Sequence, residues 1–218
     1  MIAAVTADIV GSRSLPDRAS AQRRLEAAID RVAEALPVAV RPMRATVGDE
    51  LQGVYPHLRA ALATTLLVRL ALPDDVDVRF GIGLGEIEDI PSQGGDLSEG
   101  PAWWAARAAI EKVEELARRE FRQARTWVVQ AAEEGDATAD AGAPDLVRIA
   151  NAGLLTRDRI VGRWSGRVRR LVYGRIMGTL QAELAEAEGI TQSAVSQTLS
   201  TAGAAAVIAG YRELVDPA

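Results

Sequence analysis

The sequence predicts an α+β fold in which a β-α-β-β-α-β half precedes an all-α half. Three observations carry that prediction. Before residue 133, short apolar runs alternate with stretches of helical apolar spacing in that order. The segment Glu133–Pro144, EEGDATADAGAP, is acidic and small-residue-rich, has no apolar periodicity, and reads as a linker. Charge also changes sign across it: residues 1–145 carry 16 basic and 24 acidic side chains, residues 146–218 carry 9 and 6. The expected organisation is therefore residues 1–132, a linker at 133–145, and a C-terminal unit at 146–218.

The elements follow in order. Ile2–Val10 is a short apolar strand. Ser20–Leu36 places Leu25, Ile29, Val32 and Leu36 at helical spacing, with Asp17 or Ser20 as N-cap. Pro37–Val47 and Leu51–Tyr55 read as strands joined by a hairpin at Gly48-Asp49. Leu58–Leu72 is an apolar helix stopped by Pro73. Val76–Ile87 is a strand with Gly81, Gly83 and Gly85 at alternate positions, which predicts close backbone packing, not the dinucleotide fingerprint. A helix at about Pro101–Ala124 and a strand Thr126–Gln130 complete this half. The order is the ferredoxin-like, or palm, pattern. His57, at a helix start, is expected to be structural, and Trp103 and Trp104 are either packing anchors or a stacking platform.

Composition excludes several chemistries. The chain has 218 residues, no cysteine and a single histidine, which rules out a disulfide scaffold, a thiolate zinc site and a multi-histidine metal site. No apolar run reaches the ~18 residues of a membrane span. The N-terminus begins on a strand pattern without a signal-like segment, so a cytoplasmic protein is expected.

In a ferredoxin-like sheet the first and third strands are antiparallel neighbours. The end of strand one, carrying Asp8, then lies beside the hairpin carrying Asp49. Paired hard oxygen donors of this kind suit Mg²⁺ or Mn²⁺ holding a nucleotide polyphosphate. The alternative is that Asp8 caps a turn and Asp49 shapes a hairpin.

The wording of four segments adds to this. TADIVGSR (residues 6–13), TVGDELQGV (46–54), RFGIGLGEI (79–87) and GPAWWAARAAIE (100–111) resemble, in order, motifs of class III nucleotide cyclases. That resemblance implies that Asp8 and Asp49 bind metal and that Ile9, Val10, Gly11 and Ser12 contact nucleotide phosphate. It also implies that Arg107 stabilises the transferring phosphate as the catalytic arginine. Trp103 stands where cyclases place a helper Asn, and Ala45 where adenylate cyclases place a base-reading Lys; Arg44 is the nearby substitute.

In the C-terminal half, seven arginines lie between Arg157 and Arg175 with Asp158 as the one acid, predicting a single basic helix. Beyond it, Ala185, Gly189 and Val195 have the A-x3-G-x5-V spacing of a helix-turn-helix (HTH): a small contact, a turn glycine and a packing residue. Thr191 is the expected N-cap of the second helix. Gln192, Ser193, Ser196 and Gln197 then face base edges in the major groove of double-stranded DNA, while Arg167, Arg169 and Arg170 contact phosphates. The stretch from Arg163 resembles the helix-turn-helix of sigma-factor and LuxR-type regulators; a helical dimerisation bundle is the alternative. Nearly the whole chain resembles the SatD family.

Together these features predict a nucleotide-sensing, DNA-binding transcriptional regulator acting as a homodimer. The alternative is an active nucleotidyl cyclase or nucleotidyltransferase with an accessory helix-turn-helix.

Overall fold

The computed structural model describes residues 1–46, 50–90, 97–132 and 145–216. Asp49 and the linker residues 133–144 lie outside the described residues. The first half is the expected α+β arrangement. Strands β1 (Ile2–Ile9), β2 (Arg41–Ala45), β3 (Leu51–Tyr55), β4 (Val78–Gly85) and β7 (Thr126–Gln130) form one sheet in the order β2-β3-β1-β4-β7. β1 is antiparallel to both β3 and β4, and β7 adds in parallel to β4. A separate two-stranded ladder, β5 (Glu88–Ile90) with β6 (Leu97–Glu99), was not expected from the sequence.

Period-two alternation sorts the central strands onto two faces. Ala3, Val5, Ala7 and Ile9 of β1 join Val78, Phe80, Ile82 and Leu84 of β4 in the main core, under helices α1 (Arg18–Ala35) and α2 (Leu58–Ala71). Asp17 caps α1 by accepting from the Ser20 N–H, and His57 caps α2 by accepting from the Ala60 N–H at Nδ1. The structural role expected for His57 is therefore this cap.

On the other face, α3 (Pro101–Arg119) lies against the glycines of β4. A Cβ at Gly83 would sit 1.9 Å from the Ala102 carbonyl oxygen, and one at Gly81 2.3 Å from that of Ala106. The alternating glycines are the slot into which this helix settles.

The C-terminal helices pack on this frame. α4 (Asp145–Val161) lies against β7, and both α5 (Gly166–Ile176) and α8 (Ala204–Val215) pack on α2. One apolar core runs from Val5 and Phe80 through Val147, Leu154 and Leu171 to Tyr211. The single basic helix predicted over Arg157–Arg175 is instead two helices. Gly162 ends α4, its N–H donating to the Asp158 carbonyl, and Trp164 turns inward to donate its indole N–H to the Ala202 carbonyl at 3.0 Å. A Cβ on Gly162 would lie 2.8 Å from the Asp158 carbonyl oxygen, so the turn has little room for a side chain there.

β7 is an edge strand, and α4 closes it with two side chains seven residues apart on one helix face. Asn151 accepts from the Val128 N–H at 2.8 Å and donates to its carbonyl at 2.9 Å. Asp158, 1% exposed, accepts from the Arg125 and Thr126 N–H groups at 2.6 and 2.8 Å. The same carboxylate takes the guanidinium of Arg69 from α2 at 2.5 Å and that of Arg157 at 3.2 Å. Burial lowers the pKa of Arg157 from its ordinary value; Asp158 opposes the shift and Arg69 adds to it. The opposite edge, β2, carries Pro42 and a register irregularity between Arg41 and Arg44.

Asp158→Ala would leave Arg69 and two edge amides buried without an acceptor. It is expected to lower unfolding free energy by about 3–5 kcal/mol, the range for breaking a buried ion pair, measured from urea midpoints.

Candidate functional site

β1 delivers Asp8 to the end of the sheet. Beyond it the Val10 N–H donates to the Asp77 carbonyl at 2.9 Å, and Gly11 takes φ +68° to turn the chain into a 3₁₀ segment, Ser12–Ser14. Both the N–H and the hydroxyl of Ser14 donate to the Gly11 carbonyl, at 2.8 Å each. Asp8, Ile9, Gly11, Ser12 and Ser14 line an open cleft of about 510 Å³ together with Arg79 and Glu114. Val10 stands between them in the chain but does not line the cleft.

Strand register places Arg79 directly opposite Asp8. Its Nε and Nη2 donate to the two carboxylate oxygens of Asp8 at 3.0 and 2.9 Å, and its Nη1 lies 3.1 Å from Glu114 of α3. Burial acts against the charge on Arg79, but Asp8 and Glu114 outweigh it and hold its pKa above the ordinary value.

The β2–β3 turn approaches from the adjacent strand. Ala7 pairs with Leu51, so Asp8 on β1 and Glu50, just before β3, are the next positions outward. Glu50 accepts from the Thr6 hydroxyl and the Gln52 amide at 3.0 Å each, and its other oxygen lies 3.3 Å from Nη2 of Arg107. Arg107, on the exposed side of α3, thus reaches the end of the sheet that carries Asp8. Glu50 was missed by sequence reasoning, although its alternation with Gln52 was the signal that could have found it.

Arg44 points elsewhere. Its guanidinium pairs with Asp30 of α1 at 2.8 Å, in a different cleft from that of Asp8. Trp103 packs partly buried beside Ala4, Ala102 and Ala106, whereas Trp104 is 73% exposed.

In the C-terminal half, α6 (Gln181–Glu188) and α7 (Gln192–Thr201) are joined by a short turn in which Gly189 has φ +63°. Thr191 caps α7 by accepting from the Ala194 N–H at 3.2 Å, while Ala185 and Val195 are buried. Gln192, Ser193, Ser196 and Gln197 are all exposed. The arginines are already engaged. Arg170 makes two hydrogen bonds to Glu188, at 2.6 and 2.8 Å, and Arg167 approaches the same carboxylate at 3.5 Å. Arg169 pairs with Asp74 at 2.7 Å. Hydrogen bonding from Arg170 holds Glu188 below the usual carboxylate range.

A family model described as the SatD family matches residues 2–209. The chain belongs to the SatD family. No curated protein matches the sequence. Among solved structures it is similar to the dimeric guanylyl cyclase domain of the RhoGC fusion protein of the aquatic fungus Blastocladiella emersonii, at 16% identity and TM-score 0.41. That likeness covers 50% of this chain and 72% of the other. It is also similar to the guanylate cyclase domain of RhGC from Catenaria anguillulae, in complex with GTP (17% identity, TM-score 0.39, 50% of this chain and 71% of the other). A bacterial light-regulated adenylyl cyclase matches at 16% identity and TM-score 0.41, over 55% of this chain and 41% of the other.

Among the described residues of this SatD-family chain, no helix is long and apolar enough to cross a membrane. In the cleft, the left-handed backbone at Gly11 sets the path of the loop. Gly11→Ala should lower stability by about 1–2 kcal/mol, the penalty for an L-residue in that region. Chemical denaturation of the two proteins side by side measures it.

Proposed function

We propose that this SatD-family chain binds a nucleoside triphosphate with a divalent cation at the carboxyl end of β1. The observation that carries the reading is one cleft bringing together Asp8, Ile9, Gly11 and Ser12, with Arg107 and Glu50 at the same end of the sheet. Asp8, the Ile9 carbonyl and Asp49 are the groups that would hold Mg²⁺ or Mn²⁺; the Gly11–Ser12 turn and Arg107 would meet phosphate oxygens. Among the described residues no cluster of three or more acidic or histidine side chains offers a metal site by itself. On this reading the cation is shared with a polyphosphate, whose oxygens complete the coordination. When bound, such a cation neutralises phosphate charge and lowers the pKa of an attacking hydroxyl.

The chemistry open to this arrangement is cyclase-like: a ribose hydroxyl attacks the α-phosphorus, the bond to the β-phosphate oxygen breaks, and pyrophosphate leaves. Arg107, 62% exposed and ion-paired with Glu50, would have to share or leave that contact to meet the charge that develops on the phosphate. Assembly as a homodimer accords with the exposed Trp104, since aromatic residues are enriched at interface cores.

Asp8→Ala is expected to weaken Mn²⁺-dependent binding of ATP or GTP at least tenfold in calorimetry, consistent with losing a charged ligand group worth more than about 1.4 kcal/mol. Equal affinity for mutant and wild type would remove the metal role. Separation of products after incubation with each triphosphate and Mn²⁺ distinguishes turnover from sensing.

A second reading, in which the nucleotide site controls a helix-turn-helix DNA reader in the C-terminal half, is favoured by one observation. The start of α7 presents Gln192, Ser193, Ser196 and Gln197 outward behind a capped N-terminus. On this reading Gln192→Ala relaxes sequence choice by about 1–3 kcal/mol at a selected site. Arg167→Ala or Arg170→Ala instead weakens binding to all DNA and flattens its salt dependence. Gel-shift titrations at two salt concentrations separate the effects, and arginine mutants that bind random DNA as well as wild type does would refute it.

A further inference from the structure

Each oxygen of Asp8 already accepts from Arg79, so a cation that binds this carboxylate competes with the guanidinium for its charge and its best-directed lone pairs. In the structure both are taken by one guanidinium, at 3.0 and 2.9 Å. The contact is built into the sheet, because Asp8 and Arg79 are register partners on adjacent strands. We propose that Arg79 is the resident counter-ion of Asp8 and a phosphate-binding residue of the same cleft. Without ligand it neutralises the carboxylate; when a divalent cation arrives with a triphosphate, it yields Asp8 to the cation and turns its fork to the phosphates. The proposal rests on the nucleotide reading of the cleft.

Three features support the exchange. Arg79 is 12% exposed, so its guanidinium lies largely out of bulk water, and one that leaves Asp8 gains from a second anion bound in the same cleft. Its Nη1 is held by Glu114, while Nε and Nη2 alone face Asp8, so the group can pivot on one contact and re-aim the other two donors. A guanidinium presents the same two-pronged geometry to a phosphate as to a carboxylate.

Charge gives the order of events. Asp8 and Glu114 face the cleft with Arg79 between them, and the other described residues that line it are Ile9, Gly11, Ser12 and Ser14. A triphosphate without a cation meets a carboxylate pair whose positive partner is already engaged. A divalent ion on Asp8 reverses the local sign and releases Arg79 toward the incoming phosphate. Metal alone is therefore bound weakly, and metal with triphosphate is bound cooperatively.

The test is titration of Mn²⁺ alone into the full chain, followed by free-ion paramagnetic resonance, and then of ATP and GTP in saturating Mn²⁺. Arg79→Gln removes the competitor. Mn²⁺ alone should bind on the order of tenfold tighter, the scale on which an adjacent opposite charge biases a carboxylate. Triphosphate affinity in saturating Mn²⁺ should fall by a similar factor. Unchanged Mn²⁺ affinity in a variant with wild-type circular dichroism and melting midpoint overturns the proposal. If Arg79→Gln does not fold, Arg79→Lys carries the test, because an ammonium holds one carboxylate oxygen less directionally. Mn²⁺ alone must then bind tighter than to wild type, and equal binding overturns the idea. Asp8→Asn in the same titrations separates the two levels. If it matches wild type, the nucleotide reading and this proposal both fall; if it loses Mn²⁺ while Arg79→Gln matches wild type, only the counter-ion role falls.

Discussion

The contact on which the rest of this structure depends is the buried carboxylate of Asp158. A parallel edge strand leaves a row of backbone amides that must find acceptors once covered. Asp158 supplies them for Arg125 and Thr126, and Asn151 imitates a neighbouring peptide group toward Val128. Because Asp158 also holds Arg69 of α2, one side chain ties the sheet edge, the helix layer above it and the C-terminal helices together. Removing such an ion from water is expensive, and the arrangement holds because several donors converge on the carboxylate.

That tie fixes how the two halves share a frame. α4 lies along β7, α5 and α8 rest on α2, and the same core reaches from the strand carrying Asp8 to Tyr211. The loop after Asp8 is anchored through the Asp77 carbonyl, and the Asp77 carboxylate in turn binds Arg125 at 2.7 Å, next to the amide that Asp158 accepts. The cleft and the C-terminal helices are thus joined by a short run of hydrogen bonds through the start of β7.

Much of this was legible in the sequence, for local reasons. Strand alternation around Val5 and Phe80, the glycine slot at Gly81 and Gly83, the Asp17 and Thr191 caps and the Gly189 turn are each written in a few adjacent residues. What escaped the reading was partner choice across long separations. Asp158 stands alone among arginines and gives no sign that it faces inward toward a sheet edge formed over 30 residues earlier. The basic helix expected over Arg157–Arg175 is broken after α4, where Trp164 turns inward. The wording of residues 6–13 drew attention to Asp8, Ile9, Gly11 and Ser12, which line the cleft, and to Val10, which does not. The placement of Arg79 was not legible, because it comes from strand register opposite Asp8; Glu50, one position outward from the Ala7–Leu51 pair, was signalled only by its alternation with Gln52. Asp49 lies outside the described residues.

The two rims of the five-stranded sheet restrict how this protein can associate with others. At one rim, the Asn151 and Asp158 side chains occupy the sites where a further strand would dock. At the other, β2 lacks the N–H of Pro42 and shifts register between its two arginines. Neither rim offers a clean backbone template, so growth of this sheet by borrowing a strand from a second molecule is discouraged at both ends. Association through the rims of this sheet is thereby disfavoured relative to contacts made by side chains on its helical surfaces. Such contacts can be altered one residue at a time by substitution, without disturbing the sheet that carries Asp8.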